Sequence, residues 1–474
     1  MSTPNTHYGP AAIGKIMREV RSIFFIGIGG VNMSSLAEIS LRRGYAVAGS
    51  DRTQTALTEK LENEGITVHY SHDASHVAGF GAVVYTVAIS PDNPEYTAAL
   101  ARGIPCISRA DYLGYIMTAY KYRIGISGMH GKSTTTAMCG TAFLAAGGDP
   151  TVLCGAVMPE CDSTYRIGSD SGFIFEACEY MDSFLDFAPS VVVILNIEMD
   201  HVDYFKNITQ VRRSFASFAA LTGPGGAAII NSDDKNIKLA LGTYPGRIVT
   251  FSSRERGEDD EEDPADFQAA NIDLSRGLPS FDVMTGGKIA AHIDLGVPGR
   301  HNIANALAAF AAASVCGLDP LRVAAGLSGF GGVGRRMQYK GKFHGADVYD
   351  DYGHHPTEIR ATLSGCRDMG YSRVFCVFQP HTYSRTYRLF DDFASALRQA
   401  DRAYPADIYA AREKETFGVS SEKLAAAVGE KAVYLPSLEQ IAGSLAGEVG
   451  ERDAVVVMGA GDIYRIFPYM GLEQ

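Results

Sequence analysis

At 474 residues the chain is too long for one ordinary hydrophobic core, so two or three domains are expected. With 46% hydrophobic and 20% charged residues, no apolar run of membrane-spanning length and no leader-like stretch in "MSTPNTHYGP", it reads as a cytoplasmic globular protein without membrane insertion. A net charge of −12 without a long basic stripe argues against nucleic acid as a main partner, and eight cysteines without a C-x-x-C pair read as buried free thiols.

The first block, residues 1–122, alternates the strand-like runs "SIFFIGIG", "YAVAGSD" and "AVVYTVAI" with helical stretches such as "NMSSLAEISLRRG". That alternation predicts a parallel sheet with crossover helices, a Rossmann-like domain. Its glycine turn "GIGGVNMSS" resembles a dinucleotide loop, but Asn32 replaces the third glycine of G-x-G-x-x-G. A dehydrogenase using this loop is therefore disfavoured. The loop still presents backbone N–H groups at a helix start, which suits a pyrophosphate.

The second block, 123–330, opens with "YRIGISGMHGKSTTT", a strand, a glycine loop and a helix in the manner of a P-loop ATPase. Gly128, Met129, His130 and Gly131 lead to Lys132, whose charge suits β- and γ-phosphates, and to Ser133 and Thr134, whose hydroxyls suit Mg²⁺. Two later strand-like runs end in polar groups: Glu176 with Glu179, then Asn196, Asp200 and His201. Ligands in open α/β sheets sit beyond the carboxyl ends of strands, so these groups should converge near the loop as ligands for Mg²⁺ or Mn²⁺. The bland alternative is capping by Asp200 and a surface histidine. The acidic run Glu255–Phe267 reads as a solvated loop.

The third block, 331–474, alternates again, through "ADVYDDYG", "RVFCVFQP" and "DAVVVMGAGD". Here Arg335, Arg336, His354, His355, His381 and Arg385 fall at strand ends or helix starts, where cations stabilise a transferring phosphoryl group or clamp a carboxylate. Arg336 and His355 read as the structural members of this group. The fold class expected is thus α/β in three consecutive domains: a Rossmann-like domain, a central P-loop ATPase-like domain and a C-terminal Rossmann-like domain.

The ordered set "GMHGKSTTT", "FEACEYMDSFL", "NIEMDHVDYF", "PGRHNIANALAA", "GRRMQYKG", "DDYGHHPTEI" and "FQPHTYSRT" strongly resembles the Mur ligases over nearly the whole chain. Within that family it is similar to the member that adds the first residue of the peptidoglycan stem peptide. The resemblance implies ATP-driven joining of L-alanine to the lactyl carboxylate of UDP-N-acetylmuramate through an acyl phosphate; a sister ligase that attaches a murein tripeptide is the nearest rival. Two positions depart from the family's usual loop: Met129 and Ser133 stand where threonines are common. Thr382 stands where some relatives carry a second arginine, and "SFASFAAL" lacks the lysine that later ligases carbamylate.

By the same resemblance, Lys132 meets the β/γ-phosphates, and Ser133, Glu176 and His201 hold metal. Asn302 and Asn305 present amides to adenine, and Asp351 meets the ATP ribose. Arg335 is the cation supplied by the third domain, while His354 and Arg385 meet alanine. The UDP-sugar falls to Gly29, Gly30, Val31 and Ser34 of the first loop, to Asp51 at the uridine, and to Ser50, His72 and Arg109 nearby.

Overall fold

A computed structural model of the chain describes residues 3–169, 172–201, 204–255, 264–411 and 413–473. Most of the acidic run Glu255–Phe267, and Val202 and Asp203 of the "DHVDYF" stretch, lie outside the described residues. Among the described residues three sheets succeed one another along the chain. The first is wholly parallel, in the spatial order Thr67–His69, Ala46–Ser50, Ser22–Ile26, Ala82–Tyr85, Cys106–Ser108. Strand order reverses between Ser22–Ile26 and Ala82–Tyr85, and the crevice at such a reversal is where this topology binds ligands. The glycine turn follows the first of those strands, with Gly30 capping the helix Val31–Arg42.

The middle sheet has ten strands. At its centre Tyr122–Ser127, which feeds the lysine loop, lies between Gly172–Glu176 and Val191–Ile194, both parallel to it. The parallel register aligns the carboxyl ends of all three, so Ser127, Glu176 and the residues after Ile194 open at one edge. Antiparallel strands Ser280–Thr285 and Lys288–Asp294 extend the far side. The third sheet runs Gln338–Phe343, Ala346–Asp351, Asp453–Met458, Arg373–Phe378, Arg402–Pro405, with only the first antiparallel.

Strands such as "RVFCVF" are apolar without alternation because helices cover both faces of a parallel sheet. Accordingly the third unit has two cores, one on each face: one built on Cys376, Phe378 and Phe393, the other on Phe375, Val377 and Phe467. The core of the first unit continues through Tyr112 and Leu113 into Phe184, Phe215 and Phe218 of the middle unit, so apolar packing joins these two units.

Candidate active site

The lysine loop joins Tyr122–Ser127 to the helix Lys132–Ala145. Gly131 caps that helix with φ +85°, and a Cβ there would stand 2.7 Å from Asn305 Oδ1, so only glycine fits. The Lys132 ammonium donates to the carbonyls of Gly128 (2.6 Å) and Met129 (3.2 Å) and to the Glu179 carboxylate (3.1 and 3.3 Å). Glu179 is fully buried and on its other side meets His201 Nε2 at 2.9 Å. Burial opposes the charge on Lys132, but Glu179 beside it holds the ammonium above its ordinary pKa. Burial likewise opposes the charge on Glu179, and Lys132 and His201 outweigh it, holding the carboxyl below its ordinary value.

Next along the helix, Ser133 Oγ donates to Glu176 Oε2 at 2.8 Å, and the same oxygen accepts the Gly155 N–H at 2.8 Å. A hydroxyl and a carboxylate side by side at the phosphate loop form a hard-oxygen donor set that fits Mg²⁺ or Mn²⁺. His201 is not adjacent to that pair in hydrogen bonding; its imidazole is taken by Glu179.

Between the middle and third units lies a cavity of about 650 Å³, within the range of small-molecule sites. His130, Gly131, Thr134, Asn302, Asn305 and Asp351 all line it. The two asparagines, on one face of the helix His301–Val315, are linked by Asn305 Nδ2 to Asn302 Oδ1 at 2.9 Å, and Asn302 Nδ2 donates to Pro298 O at 2.7 Å. Asp351, at the end of its strand, accepts the amides of Gly353 (2.6 Å) and Met337 (3.1 Å), and burial pushes its carboxyl up to about 6.

The arginine pair reverses the sequence reading. Arg335, expected to reach the site, spends its charge inside the third unit: Nε meets Asp350 Oδ2 at 3.2 Å, an Nη donates to Gly459 O at 2.7 Å, and the guanidinium lies over Tyr352 and Tyr464. Its φ of +57° turns the chain so that Arg336, expected to be structural, lines the cavity instead. Burial opposes the Arg336 charge, but Glu358, Asp351 and Glu176 outweigh it and raise its pKa. His355, also read as structural, both caps the helix Pro356–Asp368 and packs against His130, with ring centroids 4.9 Å apart.

Arg385, expected at the alanine carboxylate, is paired within the chain. Its Nε donates to Asp200 Oδ1 at 3.0 Å, both side chains are buried, and the pair ties the third unit to the middle one. Burial alone would raise the Asp200 carboxyl; Arg385 holds it well below the usual carboxylate range. His354 stands beside this pair, and burial pushes its imidazole down to about 3, so it is neutral.

In the first unit Asp51 folds back on the glycine turn, accepting the Gly29 N–H at 2.9 Å and the Arg52 N–H at 2.7 Å. Ser34 and Ser50 do not face an open surface. Both are fully buried, Ser34 Oγ donating to Ile28 O (2.8 Å) and Ser50 Oγ to Glu95 Oε2 (2.6 Å). The same Glu95 oxygen meets His72 Nδ1 at 2.7 Å. Arg109 stands at the start of Arg109–Met117, where burial pulls its pKa down against the opposing charges of Cys178 and Asp186 in the middle unit. Gly30 and Val31 stand at the helix start, with Val31 exposed. Glu95, Glu198 and Glu358 were missed by the sequence reading, because nothing in "NPEYTAA", "NIEMDH" or "HPTEI" signals that a glutamate there is held by neighbouring histidines.

Three family profiles cover this architecture in order: Mur ligase family, catalytic domain, over residues 22–121; Mur ligase middle domain, over 126–313; and Mur ligase, glutamate ligase domain, over 335–461. The chain belongs to the Mur ligase family and is an ATP-dependent ligase. It is 44% identical to a UDP-N-acetylmuramate–L-alanine ligase of Caldicellulosiruptor bescii over 93% of this chain and 96% of that one. Among solved structures it is similar to a UDP-N-acetylmuramate–alanine ligase of Thermotoga maritima, with TM-score 0.74 and 27% identity, covering 94% of this chain and 97% of that one. A murein peptide ligase of Psychrobacter arcticus, at TM-score 0.69 and 23% identity over 95% and 99% of the two chains, shares the fold.

Proposed function

We propose that this chain joins L-alanine to the lactyl carboxylate of UDP-N-acetylmuramate at the expense of ATP, a cytoplasmic step of peptidoglycan precursor synthesis. The observation that carries this reading is the 44% identity to a ligase of that specificity across 93% of the chain. The murein tripeptide reaction is less well supported: the peptide ligases among solved structures stand at 23% and 28% identity, the latter over 66% of this chain, against 44% over 93% for the alanine ligase.

In this reading residues 1–122 hold the UDP-sugar, 123–330 hold ATP and 331–474 close over both. The glycine turn, with the Val31 amide at the helix start, meets the pyrophosphate, and His72 and Arg109 are assigned to the remainder of the sugar nucleotide. Asp51 sets the loop's shape through the Gly29 amide. The adenine lies against Asn302 and Asn305, the ribose against Asp351, and the triphosphate runs along Gly128–Ser133 with Lys132 at its β- and γ-groups. The lactyl carboxylate attacks the γ-phosphorus and ADP departs, leaving an acyl phosphate. The alanine nitrogen, once its ammonium has lost a proton to solvent, attacks the acyl carbon; inorganic phosphate leaves from the tetrahedral intermediate and the nitrogen sheds its second proton to give the amide.

Anions must be brought together at each step, so positioning and fixed positive charge carry most of the acceleration. Lys132 and Arg336 supply that charge. His354, neutral through burial, accepts a hydrogen bond from the alanine ammonium, with Arg385 near the alanine carboxylate once it is released from Asp200. Ser133, Glu176 and His201 are the residues that would hold Mg²⁺ or Mn²⁺, which when bound neutralises charge on the triphosphate.

Phosphate release from ATP and UDP-N-acetylmuramate, measured with L-alanine, glycine, L-serine and the tripeptide in turn, tests the proposal. Release should be greatest with L-alanine, glycine falling behind by the roughly 1–3 kcal/mol that one methyl supplies. Release with the tripeptide and none with alanine would overturn it.

A further inference from the structure

His130 lies in the lysine loop, Glu198 in the segment after Val191–Ile194, and His355 at the start of a helix of the third unit. One ring nitrogen from each histidine and one Glu198 oxygen lie within 4.8 Å of one another. His130 Nε2 is in direct contact with Glu198 Oε1, and His355 Nδ1 is 3.9 Å from that same oxygen. The His355 side chain is 6% exposed, and its Nε2 has no hydrogen-bond partner among the described residues.

His130 and Glu198 are each held from behind, and His355 Nδ1 accepts the Thr357 amide at 3.3 Å, which leaves its Nε2 for a ligand. Glu358 Oε1 stands 3.2 Å from His130 Nδ1, while its Oε2 accepts the amides of His354 (2.8 Å) and His355 (3.1 Å). A carboxylate on one imidazole nitrogen turns the other outward and raises its basicity, which is how metal-binding histidines are commonly oriented. Thr357 Oγ1 donates to Glu198 Oε2 at 3.0 Å, so Oε1 is the oxygen turned toward the two imidazoles.

We propose that His130, Glu198 and His355 form a site for a zinc-class divalent cation that bridges the lysine loop and the third unit. Two imidazoles and one carboxylate suit Zn²⁺ with a water in the fourth position, whereas Mg²⁺ prefers oxygen throughout. The site is thus chemically distinct from the Ser133 and Glu176 oxygens. Metal–ligand bonds of about 2.0–2.2 Å require the three donors to draw together by side-chain rotation. The site links two units without any nucleotide.

The test titrates ZnCl₂ into the chelator-treated full-length protein by calorimetry without nucleotide, and repeats it with Co²⁺ followed by visible absorption. One Zn²⁺ per chain is expected, with the ligand-field bands of four-coordinate Co²⁺. Affinity should fall at least tenfold in Glu198→Gln and in His355→Asn. Asparagine retains a helix-capping side chain, so that variant is expected to keep its fold, which a melting curve checks. The exposed Cys161 and Cys178 are alternative zinc ligands, and Cys161→Ser/Cys178→Ser should bind as the parent does. Unchanged affinity in both ligand variants, or loss confined to the cysteine variant, would overturn the assignment.

Discussion

Replacing Arg336 separates two adjacent guanidiniums whose sequence contexts are nearly identical. Arg336 stands 3.6 Å from Glu358 on the cavity wall. At an effective dielectric of about 20, a unit pair at that distance interacts by about 5 kcal/mol. The side chain is 26% exposed, so water screens part of this. What remains is comparable to the roughly 3–4 kcal/mol that one preorganised charge contributes to a transition state. Arg336→Ala should therefore lower kcat/KM by two to three orders of magnitude. It leaves Glu358, Asp351 and Glu176 facing an incoming triphosphate without that cation. Arg335→Ala should behave differently, leaving the nearly buried Asp350 without its partner and costing about 1–3 kcal/mol of stability with a smaller effect on rate. Coupled phosphate release under saturating and limiting ATP, beside thermal melts of both variants, makes the comparison. Arg336→Ala within threefold of the parent, or Arg335→Ala the slower of the two, would refute the reasoning.

Lys132→Ala should abolish acyl-phosphate formation while UDP-sugar binding, followed by calorimetry, stays near that of the parent. Asp200→Asn removes the partner of Arg385 across the two units; it should lower the melting temperature and alter KM for alanine more than for ATP, and equal effects on both would place Arg385 at the phosphates. Burial holds His354 at about 3 and His301 and His381 at about 4, so the folded chain refuses protons that the unfolded chain takes up near 6.5. Their contribution is complete above about 6.5 and is lost as pH falls toward 4. His130 has the opposite sign: burial opposes its charge, but Glu358 and Glu198 raise it to about 10, so its contribution is full below about 6.5 and is lost as pH rises through 10. Melting temperature against pH should peak near 6.5, and His130→Asn should flatten the alkaline limb; an unchanged alkaline limb would discount that ion pair.

The strands and the lysine loop were legible in the sequence because their signals are local. An apolar run such as "VVVILNI" before a polar cluster, or glycines before a lysine, needs no distant partner to be read. Asn196 Oδ1 accepts the His130 N–H at 2.9 Å and Glu176 meets Ser133, so the convergence of both strand ends on the lysine loop followed from one topological rule. What escaped depends on contacts between units or on a single dihedral angle. Arg335 and Arg336 are neighbours in "GRRM", and the positive φ at Arg335 decides which one faces the cavity. Asp51 ends its strand as expected, yet its carboxylate is drawn to the Gly29 amide. Ser50 looked available until the side chain of Glu95, far along the chain, took its hydroxyl.

Lys132 rests on a buried carboxylate of its own chain. In the proposed function a triphosphate would compete with Glu179 for an ammonium that is already paired, instead of filling an uncompensated positive charge. Nucleotide affinity becomes a difference between two anions competing for one ammonium. Glu179 also holds His201, so the lysine and the imidazole share one buried carboxylate, and a ligand that drew Glu179 away from one would disturb the other.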